Sequence, residues 1–87
     1  MKAVITVIGK DMVGILAKVS TTCAEANVNV IEVTQSVLQD FFAMIMLVDI
    51  EKMNTDLAGL HEALDKNVDD MEIHVMHEDI FNSMHRI

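Results

Sequence analysis

Apolar and polar positions recur with period two over residues 2–8, 28–38, 41–50 and 71–77, and with a period near 3.6 over residues 12–27 and 57–69. In the first strand-like run Val4, Thr6 and Ile8 fall on one face and Ala3, Ile5 and Val7 on the other, so both faces are nearly apolar. Gly9, Lys10 and Asp11 supply a turn, and Asp11 is placed to cap a helix by accepting from an early backbone N–H. Met12, Leu16, Val19, Cys23 and Ala26 then repeat at spacings of four, three, four and three, which predicts an amphipathic helix ending near Asn27. Period two returns with Ile31, Val33 and Val37 set against Glu32, Thr34 and Ser36.

Gln39 and Asp40 are the only break before the apolar run at residues 41–50, so the second and third strands are expected to form an antiparallel hairpin. Asn54 or Thr55 is the expected cap of a second helix, whose Leu57, Leu60, Leu64 and Val68 recur at helical spacing. A fourth strand alternates Ile73, Val75 and His77 with Glu72, His74 and Met76, and a short helical tail follows, which Ile80, Phe81 and Met84 could dock. The order β-α-β-β-α-β predicts an α+β fold: a ferredoxin-like βαββαβ sandwich, with a four-stranded antiparallel sheet, two helices on one face and a C-terminal helical tail over residues 78–87. Two helices cover one side of such a sheet, yet the third strand is apolar on both, with Ala43, Ile45 and Leu47 facing away from Phe42, Met44, Met46 and Val48. An uncovered apolar face marks an interface, and a homodimer is expected.

Composition narrows the partners. With 87 residues, no proline and three glycines, residues 1–87 are expected to form one domain. A domain of this size buries only about 60% of its unfolded surface, which favours association. Fourteen acidic against six basic residues leave a net charge of −8, which argues against nucleic acid and against anionic membrane surfaces. No run approaches the roughly 18 apolar residues that span a bilayer. The lone Cys23 and an amino terminus that reads as a strand fit a cytoplasmic protein.

The stretch GKDMVGILAKVS, followed by AEANVNVIEV, resembles the ACT-domain pattern: an acidic or amide residue, a glycine three positions on, an apolar pair, a helix ending in a small-residue turn, then V-N-V/I. The wording G-x-D-x-x-G-I is similar to that of small free-standing ACT proteins and of the ACT modules of the glycine cleavage repressor and formyltetrahydrofolate deformylase. Many relatives carry proline where Val13 stands, and amino-acid-sensing relatives often carry an amide where Asp11 stands; Asn29 matches their asparagine. The resemblance implies a regulatory module that binds a small ligand, often an amino acid, between two copies, with Asp11, Met12, Val13, Gly14, Ile15 and Asn29 as the ligand-binding residues. Free N–H groups at a helix start, with its positive dipole end, suit a carboxylate, and Gly14 lacks a Cβ to obstruct it. Each residue also has a structural reading: Gly14 as a point of tight packing, Asp11 as an N-cap, Asn29 as a turn former.

Other chemistry finds less support. His74 and His77 are three apart on a strand and so point to opposite faces, and His77 and His85 on a helical tail would be about 12 Å apart, so no metal is expected. Cys23 falls on the core side of its helix, where a thiol is commonly inert, and no pair of carboxylates is brought together by spacing. Residues 9–17 hold no arginine, which excludes an acylphosphatase-type phosphate loop. The eight methionines suit core and interface. The chain is therefore expected to be a non-catalytic sensor without cofactor; the alternative is a ligand-independent dimerisation or adaptor module for a protein partner.

Overall fold

The computed structural model describes residues 1–10, 14–68 and 71–84. Its elements are β1 (Lys2–Gly9), α1 (Ile15–Glu25), β2 (Asn29–Leu38), β3 (Phe41–Asp49), α2 (Leu57–Asn67), β4 (Glu72–His77) and α3 (Glu78–Met84). The strands lie in the order β2-β3-β1-β4, each antiparallel to its neighbours. The expected βαββαβ sandwich with a helical tail is the observed fold.

The core lies between the sheet and α1 and α2. Ala3, Ile5 and Val7 of β1 stand beside Val48, Met46 and Met44 of β3, and all six are completely buried. Ile73 of β4 continues the row, and Leu60 and Leu64 of α2 and Val19 and Cys23 of α1 close it from above. Burying a side chain of the size of Ile5 or Leu64 contributes roughly 1.5–3 kcal/mol each. Thr22, the buried polar residue of α1, is satisfied: its hydroxyl donates to the Lys18 carbonyl at 2.9 Å and accepts from Asn67 Nδ2 at 3.1 Å.

The first helix departs from the predicted stripe. It begins at Ile15, and its buried residues are Ile15, Val19, Thr22 and Cys23, at i, i+4, i+7 and i+8, with buried Ala26 just beyond. Leu16, expected on the stripe, is 39% exposed. Met12 lies outside the described residues, and so does the capping expected of Asp11; Gly14, which has no side chain to bond with, holds the cap position.

In β2 the register slips by one residue between Val30 and Glu32, which isolates Ile31 as a bulge. The period-two pattern sets Ile31 with Val33 and Val37; Val33 and Val37 pair with Met46 and Phe42, whereas Ile31 has no partner on β3 and is 46% exposed. The β2–β3 hairpin closes as expected through Gln39 and Asp40, with Gln39 in the left-handed region at φ 56°. The second helix is capped by Asp56, and not by Asn54 or Thr55: Asp56 Oδ1 accepts from the Gly59 N–H at 2.7 Å. Asn54 is used elsewhere, donating through Nδ2 to the Glu25 carbonyl and through its backbone N–H to the Ala26 carbonyl.

The face of the sheet away from α1 and α2 is not wholly bare. The helix α3 lies against β1 and β4, and Val4 on that face is only 3% exposed. Ile8 and Ile45 remain about 40% exposed and Phe41 more so. Phe81 of α3 is half-buried, whereas Ile80, expected to dock the tail, points out. Residues 85–87 lie outside the described residues. No helix among the described residues is long and apolar enough to cross a membrane.

The cap assignment is testable. Asp56→Ala is expected to lower the unfolding free energy by about 1 kcal/mol in urea titrations, and Asp56→Asn by much less, since asparagine offers the same acceptor.

Candidate functional site

Of the six residues expected to hold a ligand, Asp11, Met12 and Val13 lie outside the described residues. Gly14 has φ 74° and ψ 0°, a left-handed backbone that side chains with a Cβ disfavour. Among the described residues a Cβ built on Gly14 would meet nothing within 4 Å, so none of them packs tightly against this glycine. The chain needs it to reverse direction into α1. Its carbonyl accepts from the Lys18 N–H at 3.0 Å, closing the first helical turn, while Ile15 packs into the core. Among the described residues, the first turn of α1 carries no acidic residue to offset the positive end of the helix dipole.

Asn29 stands at the other end of α1. The eleven residues of that helix make it about 16 Å long, so one chain does not bring Gly14 and Asn29 together. Asn29 instead lines an open pocket of about 480 Å³ with Ala24, Asn27, Val28, Asp49, Glu51 and Lys52. It lies directly across from Asp49 on β3, which in turn faces Lys2 on β1. Asn27, left-handed at φ 61°, ends the α1 turn and donates through Nδ2 to the Lys52 carbonyl at 2.8 Å. Asp49 Oδ1 accepts from the Glu51 N–H at 2.9 Å. The pocket so combines two carboxylates, one ammonium and two carboxamides over an apolar floor, groups able to receive a small zwitterion. Of these only Asn29 was singled out from sequence. The others come from three segments that the β2–β3 pairing and the Asn27 bond draw together, and their one local sign was the polar cluster DIEK closing an apolar strand.

The histidines do not converge. His74 pairs with Thr6 and His77 with Ala3, on opposite sides of the sheet. His74 Nε2 meets Glu72 at 3.1 Å, and His77 Nδ1 accepts from the Asp79 N–H at 3.1 Å. Among the described residues no three His, Cys, Asp or Glu side chains are placed to hold a metal ion. Cys23 is completely buried, and burial pushes its thiol up from 9.0 to about 11.

A family profile described as an ACT domain matches residues 2–78. A UPF0237 protein of Clostridium perfringens is 48% identical over 91 residues, covering all of both chains. An ACT domain protein from Streptococcus pneumoniae superposes with a TM-score of 0.77 at 34% identity, over 98% of each chain. A formyltetrahydrofolate deformylase from Pseudomonas putida has the same fold over 91% of this chain and 29% of its own, with a TM-score of 0.77 and 16% identity.

Two outcomes are expected. Gly14→Ala forces a Cβ into the left-handed region and lowers stability by about 1–2 kcal/mol in chemical denaturation, while Gly14→Asn costs less. Cys23 has a folded pKa raised above its unfolded value, so the native state holds its proton longer; the stability this contributes is complete below pH 9 and is lost as pH rises from 9 to about 11. Denaturation curves across that window are expected to fall by up to about 1.4 kcal/mol per pH unit, and Cys23→Ala to remove that fall.

Proposed function

Because the chain belongs to the ACT-domain family, whose members are regulatory ligand-binding modules, we propose that it is a non-catalytic cytoplasmic sensor, one domain over residues 1–87, that binds an amino acid or related metabolite at the interface of a homodimer. The observation that carries this reading is the separation of Gly14 and Asn29 by the length of α1. A ligand that touches both must sit between two copies, with residues 11–15 of one and Asn29 of the other around it. The two ends are chemically suited to the two charges of an amino acid. The start of α1 offers free N–H groups and a positive dipole end to a carboxylate. The pocket beside Asn29 offers Asp49 and Glu51 to an ammonium, near the negative end of the same helix. Asp11 adds a further acceptor for an ammonium at the interface. The net charge of −8 opposes the meeting of two copies, so the contact needs uncovered apolar surface, and Ile8, Ile45 and Phe41 on the open face of the sheet supply it.

Thermal-shift and calorimetric screening of amino acids and related metabolites tests this. A ligand of the wild type is expected to raise its melting temperature and to bind Asn29→Ala about tenfold more weakly. Asn29 is exposed, so that variant keeps the fold. A flat response across the panel sinks the sensor reading; an undiminished response in Asn29→Ala sinks this site.

A further inference from the structure

Where β1 runs out, a glycine stands between two large side chains. Gly9 pairs with Phe42 of β3, and Ile8 pairs with Glu72 of β4, so Met71, one residue before Glu72, comes alongside Gly9. By strand alternation Gly9 follows Ala3, Ile5 and Val7 on the helix-bearing face, and Met71 stands two residues before Ile73 on the same face. Met71 is half-buried and packs against the core. A Cβ built on Gly9 would collide with Met71 Sδ and lie 2.7 Å from Met71 Cε, so the thioether fills the space in which a side chain of residue 9 would stand. Gly9, unlike Gly14, does not have a positive φ. What it supplies is that space.

We propose that Met71 is an oxidation site, with a peroxide as the oxidant, and that its sulfoxide does not fit the seat on Gly9. A sulfur lone pair attacks one peroxide oxygen and forms the S–O bond as the O–O bond breaks; the other oxygen leaves as water, so sulfur loses the two electrons that the peroxide gains. Half-buried, the Met71 thioether is open to a small oxidant, whereas Met44 and Met46 are completely buried. The product is larger and polar. Its oxygen requires a hydrogen-bond donor, and Gly9 has no side chain to offer one. The sulfoxide therefore turns out to water, and the gap it leaves lies at the last residue of β1, from which the chain leads into α1. Oxidation so removes a support at the root of the segment that holds the ligand. That link rests on the sensor reading; the seat and its oxidation do not. Met1 and Met76 are not among the residues packed against the core, so oxidation there leaves the core intact.

Peroxide treatment of the folded protein, followed by peptide mass mapping and thermal melting, tests this. Hydrogen peroxide is expected to convert Met71 to its sulfoxide while Met44 and Met46 stay reduced, and to lower the melting temperature by about 5 °C. Met71→Leu keeps the side-chain volume, Cys23 and every other methionine. It is expected to melt within about 2 °C of the untreated wild type and to lose nothing further on peroxide treatment. The seat has its own test. Gly9→Ala is expected to lower the melting temperature in the wild type, and by about half as much or less in a Met71→Ala background, where the added Cβ has room. A Met71 no more oxidised than Met44 and Met46, a Met71 sulfoxide that melts with the unmodified protein, a peroxide-induced loss of the same size in Met71→Leu, or a Gly9→Ala cost equal in both backgrounds each overturns the proposal. Every readout is taken without ligand, so its failure is told apart from a failure of the sensor reading.

Discussion

The layer of side chains between the sheet and its two long helices is the constraint on which the rest of the structure depends. Central strands β1 and β3 carry most of it, through Ile5, Val7, Met44, Met46 and Val48, and α1 and α2 sit where those residues need cover. A chain this short has one such layer, and its stability margin is correspondingly thin. The phase of α1 follows from it: once Val19 and Cys23 must face the sheet, Ile15 and Ala26 fall on the same side and Leu16 is turned to the edge. Methionine at two of the central positions suits this layer, because its unbranched side chain fills the irregular space between two helices and a pleated surface.

That layer also sets the distance between the two halves of the site. Because α1 must span the sheet to cover it, its two ends are held about 16 Å apart, one entered through a left-handed glycine and the other left through a left-handed asparagine. Asn27 and Asn54 tie the exit of α1 to the loop after β3 by bonds to Lys52 and Glu25, which fixes the walls of the Asn29 pocket in place. The rigid helix separates the two ends within a chain, and pairing two copies head to tail can bring unlike ends together.

Much of this was legible in the order of residues. The six main elements, the antiparallel hairpin at Gln39 and Asp40, the split of β1 and β3 between two apolar faces and the likeness to ACT domains all follow from periodicity and wording, because strand and helix periods are local properties of the chain. Gly14 was marked as a position of consequence, yet its reason was not readable: a positive φ and crowding leave the same letter in the sequence, and only the backbone, with no described residue near the absent Cβ, separates them.

The sequence by itself determined which residues form strands and helices and which faces of them are apolar, since these depend on neighbours a few positions away. Tertiary structure alone decided that Asp56 caps α2, that Ile31 leaves the ladder as a bulge, that Val4 is buried, and that Asn29 shares its pocket with Asp49, Glu51 and Lys52. Each of these depends on which distant backbone groups come within hydrogen-bonding or packing distance. That is settled by how the sheet pairs and how the helices lie across it, and no pattern along the chain records it.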